Sequence, residues 1–556
     1  MSTAWWKKAV VYQIYPKSFN DTTGNGTGDI QGIINKLDYL KKLGVDVLWL
    51  TPIYKSPQRD NGYDISDYYS IHDDYGTMED FDLLLQEAHQ RGIKIIMDIV
   101  INHTSTEHEW FKQAKSSKDN PYRDFYIWKD GKNGEPPTNW ESKFGGSAWE
   151  FDETTQQYYL HLFDVTQADL NWENEKLRAA LYEMMHFWLK KGVDGFRLDV
   201  INLISKDQHF PQDESDGRKF YTDGPRIHEF LHEINQQVFS KYDIMTVGEM
   251  SSTSIDNCIR YSNPDKEELN MTFNFHHLKV DYPNGDKWTR ADFDFQALKD
   301  ILSTWQIEMN EGGGWNALFW CNHDQPRAVS RFGDDIHYLN ESAKMLATTL
   351  HLMQGTPYIY QGEEFGMTNP NFNSIDEYRD VESLNMFQIL KNRGMGEPEI
   401  IEILKQKSRD NSRTPVQWND RENAGFTTGT PWINTAANYK EINAEKAIQE
   451  SDSIFYHYQK LIQLRKEYDI ITDGDFELIL DQDPEIFAFI RNFGSEKLLV
   501  INNFYSREKT VTLPSHLNLD EHHCEMLISN YNDSEAHPTK AMVLRPYESI
   551  AYHLKK

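Results

Sequence analysis

The chain has 556 residues, of which 26% are charged, 39% hydrophobic and 13% aromatic. That is the make-up of a folded aqueous protein with a sizeable core, and it excludes a disordered one. Lys plus Arg number 57 and Asp plus Glu 87, a net charge of −30 that disfavours nucleic acid and anionic membrane surfaces as partners.

The N-terminal MSTAWWKKAVVYQIYP has no apolar core of the kind a signal peptide needs, because Lys7 and Lys8 interrupt it. No apolar run reaches the roughly 18 residues of a membrane span. Cys258, Cys321 and Cys524 are too few and too far apart for a disulfide framework or a Cys-only zinc site. A reducing, cytoplasmic setting is expected.

Short β-rich apolar runs follow one another at 10–14, 45–50, 93–100, 193–200, 244–247, 271–275, 317–320 and 357–360. Helical patterns lie between many of them. One starts at Thr77 with Asp80 three residues on, a capping box. It continues with a stripe of Phe81, Leu84, Leu85 and Ala88 and stops at Arg91-Gly92. Eight strands alternating with helices predict an α/β fold, a (β/α)8 TIM barrel. The gap after the third run is too long for one crossover helix. Its aromatic-, Gly- and Pro-rich residues 104–172 predict an inserted domain. The barrel then comprises 1–103 and 173–475, with an irregular subdomain at about 368–418. From 476 onward, short strands at 486–490, 497–502, 510–513 and 549–554 predict a C-terminal antiparallel, sandwich-like β domain, 476–556.

A TIM barrel keeps its chemistry at the C-terminal ends of its strands. Three carboxylates fall at three such ends: Asp199 in GFRLDV, Glu249 in VGEM and Asp324 in NHDQ. Tyr63 and Asp64 (NGYDISDY), Asp98 and His103 (DIVINH), Arg197 and His323 stand beside them. Such a set suits glycoside hydrolysis, where one carboxylate stays ionised and another keeps a proton for the leaving oxygen. Arg197, two residues before Asp199 on the same strand face, would hold that carboxylate ionised.

DIVINH (98–103), GFRLDVIN (195–202), VGEM (247–250) and NHDQ (322–325) resemble the signature regions of the α-amylase superfamily. ADLNW (168–172) and Val200 after the nucleophile position resemble its oligo-1,6-glucosidase group. VYQIYPKSFNDTTGNG (11–26), FDVTQADLNWEN (163–174), FHHLKVDYPNGDKW (275–288) and GGGWNALFWCNHDQPR (312–327) are similar to the trehalose-6-phosphate hydrolases within it. The resemblance implies a retaining mechanism with Asp199 as nucleophile, Glu249 as acid/base and Asp324 as transition-state stabiliser. It also implies a glucose pocket lined by Tyr63, Asp64, His103, Arg197, His323 and Arg413. The substrate would be a small phosphorylated disaccharide, with no cofactor required. The alternative is an oligo-1,6-glucosidase acting on isomaltose-type sugars.

A phosphate demands a local cation. The segment after the sixth run carries His276, His277, Lys279, Lys287 and Arg290, and Lys279 and Lys287 are the expected phosphate ligands. The loop DTTGNGTGD resembles the calcium loop of the oligo-1,6-glucosidase group and offers Asp21, Thr23, Asn25 and Asp29 as ligands for a structural Ca2+.

Overall fold

The computed structural model describes residues 4–556; the first three residues of the N-terminal segment lie outside it. Eight parallel strands form the barrel: β1 (Val11–Ile14), β2 (Val47–Leu50), β3 (Lys94–Ile99), β4 (Gly195–Leu198), β5 (Met245–Glu249), β6 (Met271–Phe273), β7 (Ala317–Leu318) and β8 (Thr356–Tyr360). Each pairs in parallel with its neighbours, and β8 returns to β1. Between β6 and β7 the ring is joined by a single bridge, Thr272 to Asn316.

The strands are buried on both faces, as a parallel barrel wrapped in helices requires. The helix Met78–Gln90 starts at the expected capping box: Thr77 accepts from the Asp80 N–H and Asp80 reaches back to Thr77. Its four apolar stripe residues are all buried.

The insertion after β3 begins on an antiparallel pair, His103–Ser105 with Gln167–Asp169, which acts as its neck. A three-stranded sheet of Trp128–Lys129, Gln157–Leu160 and Trp149–Asp152 follows. The insertion does not fold on itself alone. Its small core of Trp140, Trp149 and Leu160 is completed by Leu203, Phe210 and Tyr221 from the segment after β4. That sharing places the insertion over the C-terminal mouth of the barrel. The 368–418 segment is a helical subdomain, with helices Val381–Asn392 and Glu397–Lys407 and its own core of Phe387, Ile400 and Leu404.

The C-terminal domain holds a five-stranded antiparallel sheet. Its members are β9 (Asp475–Ile479), β10 (Ile486–Phe493), β11 (Glu496–Asn503), β13 (His523–Ser529) and β15 (Ser549–Lys555), in the order β9-β10-β11-β15-β13. A two-stranded ribbon, β12 (Lys509–Thr512) with β14 (Ala541–Leu544), packs against it. Phe487, Phe489 and Val500 on the other sheet face join the barrel's own core, so domain and barrel share one apolar interior.

Candidate active site

Arg197, at the end of β4 and 1% exposed, is the hub of the site. Its Nη1 donates to Asp98 (2.9 and 3.0 Å) and to Asp199 (2.6 Å), and its Nη2 donates to Glu249. The guanidinium lies 5.0 Å from the Trp49 ring centre, and Trp49 Nε1 and the Tyr63 hydroxyl both donate to Asp98. Three buried carboxylates thus surround one fixed positive charge.

Their repulsion in a buried space must be relieved by protons. Burial pushes Asp98 up to about 6, against the pull of Arg197 and the Tyr63 hydroxyl. Burial, with the facing charges of Glu249 and Asp98, raises Asp199 well above the usual carboxylate range, and Arg197 opposes the shift. Both shifts favour the protonated form within the cluster, the direction that acid catalysis of a leaving group needs. Asp199 and Glu249 share one guanidinium across its two Nη atoms. Accepting from one guanidinium brings the two carboxylates to the same side of the cavity, as a nucleophile and an acid/base acting on one bond require.

Immediately after Asp199 the chain leaves the strand. Val200 adopts φ +35°, a strained conformation for a β-branched residue. The turn aims the Val200 N–H at Glu249 Oε2, 3.1 Å away. Val200 is therefore a turn residue, where the sequence reading extends the strand to position 200.

The opposite wall is built on Asp324. Arg413 Nη2 donates to its carboxylate (2.7 Å), as does Arg409 Nη1 (3.4 Å). Burial pushes this carboxyl upward, but the charges of Arg409, Arg413 and Arg197 outweigh it and hold Asp324 well below the usual range. It stays ionised, suited to stabilise positive charge.

His323 stacks face to face on Tyr63, with ring centres 5.1 Å apart. Burial lowers it to about 3, so its ring is neutral. Gln13 donates to Nδ1 (2.8 Å), which assigns the proton to Nε2, and Nε2 has no hydrogen-bond partner among the described residues. His103 is likewise neutral, lowered to about 4 by burial. Asn102 sits on its Nδ1 at 3.1 Å and the Tyr63 carbonyl on its Nε2 at 3.1 Å. Asn102 in turn donates to Asp169, and the buried Lys206 ties both to the insertion's neck.

A cavity of about 200 Å³ opens at these groups, lined by Tyr63, His103, Asp199, Glu249 and Asp324. Arg197 and Arg413 support it from behind. Asp64, expected to line the glucose pocket, does not reach it. Its carboxylate accepts from Ser56 Oγ (3.0 Å) and the N–H groups of Arg59 (2.8 Å) and Asp60 (3.1 Å), stitching its own loop. Positive φ at Asn61 and Gly62 turns the chain so that Asp60 faces the cavity instead. There Asp60 accepts from Arg409 Nη2 at 3.1 Å. Asp60 and Arg409 escape the sequence reading. The spacing of Arg409 four residues before Arg413 was the available signal, since it places both on one helical face.

The two expected phosphate ligands lie in different surroundings. Lys287 borders the cavity, but its ammonium is bound to Glu382 at 2.7 Å, so its charge is already used. Lys279 is exposed and faces Ser252 at 3.5 Å. Of the cavity-wall cations, Lys287 and Arg409 are bonded to carboxylates, whereas Lys143, contributed by the insertion, is not. Its bonded partner is the neutral Ser251 hydroxyl at 3.1 Å. Burial, then repulsion from Arg218 and Lys279, pushes Lys143 down to about 7. Cations crowded together without a bonded carboxylate at Lys143 make a place for an anion.

The 21–29 loop does not fit a calcium ion. Asp21 Oδ1 accepts from Thr23 N–H and hydroxyl and from Gly24 N–H, and Oδ2 accepts from Gly26 N–H and the Thr427 hydroxyl. Asp29 is taken by Thr22 and by the Gly32 N–H, whose helix it caps. Asn25 accepts from Thr27 N–H and Thr23 from Asn25 N–H. Donors thus occupy the lone pairs a cation would need.

Residues 13–474 match the α-amylase catalytic domain, and residues 486–551 the C-terminal domain of the α-amylase SusG. The chain belongs to the α-amylase family of glycoside hydrolases. Trehalose-6-phosphate hydrolase of Bacillus subtilis (strain 168) is 69% identical over 556 residues, covering 100% of this chain and 99% of its own. A crystal structure of Bacillus licheniformis trehalose-6-phosphate hydrolase superposes with a TM-score of 0.98 at 70% identity, with both chains fully covered. Oligo-1,6-glucosidase of Parageobacillus thermoglucosidasius is 56% identical over 563 residues, with both chains fully covered.

Proposed function

We propose that this enzyme hydrolyses α,α-trehalose 6-phosphate to glucose and glucose 6-phosphate with retention. The unphosphorylated glucosyl unit occupies the cavity floor against Tyr63, and the phosphorylated unit lies toward Lys143. An Asp199 oxygen attacks C1 while Glu249 protonates the bridging oxygen, releasing glucose 6-phosphate. Asp324 faces the positive charge that builds on the ring. Glu249 then takes a proton from water, which attacks C1 of the glucosyl ester and frees glucose and Asp199.

The observation that carries the phosphate reading is Lys143: a cavity-wall ammonium paired only with a hydroxyl and pressed by Arg218 and Lys279. In a protein of charge −30, only such a short-range attraction brings in an anionic sugar. The buried, free cysteines suit the cytoplasm, where we place the protein. Steady-state hydrolysis of trehalose 6-phosphate, trehalose and isomaltose tests the reading. The phosphorylated sugar is expected to lead by about 10- to 100-fold in kcat/KM. Isomaltose as the best substrate would make the enzyme an oligo-1,6-glucosidase.

A further inference from the structure

We propose that Arg331 is a positioning residue for the leaving-group side of the cavity, acting through Gln325. The inference rests on reading this cavity as the site of a phosphorylated disaccharide.

Gln325 borders the cavity directly after Asp324. Its Oε1 accepts from Arg331 Nη1 at 2.9 Å. An arginine can only donate, so the contact fixes the amide's orientation: the oxygen faces Arg331 and the NH2 group is free to face the cavity. No described residue accepts from that NH2 group. A bound sugar hydroxyl or phosphate oxygen is the acceptor it fits.

Arg331 is itself held rigidly. Its Nε and Nη2 grip Asp281 (3.0 and 2.6 Å), and Nη2 also donates to the Leu278 carbonyl. Lys407 of the helical subdomain binds the same Asp281 at 2.8 Å. One buried guanidinium therefore ties together Gln325 on the cavity wall and the 278–281 turn that carries Lys279. Both are on the side that receives the phosphorylated unit. None of these atoms touches Asp199, Glu249 or Arg197, so the chemistry at C1 does not depend on Arg331.

The test compares two substrates in wild type, Arg331→Gln, Gln325→Leu and the double variant. Trehalose 6-phosphate has a hydroxyl- and phosphate-bearing leaving group; p-nitrophenyl α-glucoside presents the same glucosyl unit with a flat, hydroxyl-free one. Each single variant is expected to lose about tenfold in kcat/KM on trehalose 6-phosphate, mainly through KM, and to stay within about twofold on the aryl glucoside. The double variant is expected to lose little more than either single, because both remove one contact. Equal losses on both substrates, or full additivity, would overturn the proposal. Should Arg331→Gln fold poorly, Gln325→Leu decides alone, since Gln325 is half-exposed and unchanged selectivity there refutes it. A wild type indifferent to the phosphate would instead overturn the underlying functional reading.

Discussion

Replacing Lys143 by Met removes the cavity-wall ammonium while keeping its apolar stem. In the free enzyme that ammonium is bonded to one neutral partner, Ser251, repelled by Arg218 and Lys279 and drawn more weakly by Asp216 and Glu249, neither of which it bonds. Its loss therefore strands no carboxylate, and folding should survive. What disappears is a charge-assisted bond to phosphate, worth roughly 1.5–3 kcal/mol, or about 10- to 150-fold in kcat/KM on trehalose 6-phosphate. Unphosphorylated trehalose never uses that bond and should be cleaved at an unchanged rate. The pH dependence gives an independent check. With Lys143 near 7 in the free enzyme, the bonding ammonium is fully present below that pH and is lost as pH rises through it. KM for the phosphorylated sugar is then expected to rise about tenfold per pH unit in the alkaline limb. Lys143→Arg, charged throughout, should flatten the limb. An equal loss on both sugars in Lys143→Met, or an alkaline limb that persists in Lys143→Arg, would refute the reasoning.

Asp199→Asn should abolish turnover by several orders of magnitude on every α-glucoside, measured by product release. Its Tm should be equal to or above that of the wild type at neutral pH. The Asp199 carboxyl is raised above its unfolded value, so its ionisation costs stability as pH rises, and an amide removes that cost. A lower Tm at pH 7 would contradict the crowding of carboxylates around Arg197. Excess EDTA should leave both Tm and kcat unchanged, whereas Asp21→Ala should lower Tm by several degrees, because five donors in the 21–29 loop and at Thr427 lose their acceptor. A Tm drop on chelation would mean that the loop holds a cation after all.

The sequence by itself determined the barrel, its eight strands in order, the capping box at Thr77 and the three strand-end acids. All of these are local in origin. Barrel strands buried on both faces read as short continuous apolar runs rich in β-branched residues, caps occupy fixed offsets, and a carboxylate that ends a barrel strand points to one mouth. The structure decided everything that depends on how loops fold over that mouth. Asp60 and not Asp64 faces the cavity because two positive-φ residues turn the chain between it and Tyr63. Lys287 spends its charge on Glu382, nearly a hundred residues away, while Lys143 arrives from an insertion that borrows its core from the segment after β4. The calcium pattern at 21–29 is present as spacing, yet the backbone closes its own donors onto both carboxylates. Pairing between residues distant in the chain leaves no period or offset in the sequence, so only the tertiary structure shows which charges are spent and which are left for a substrate.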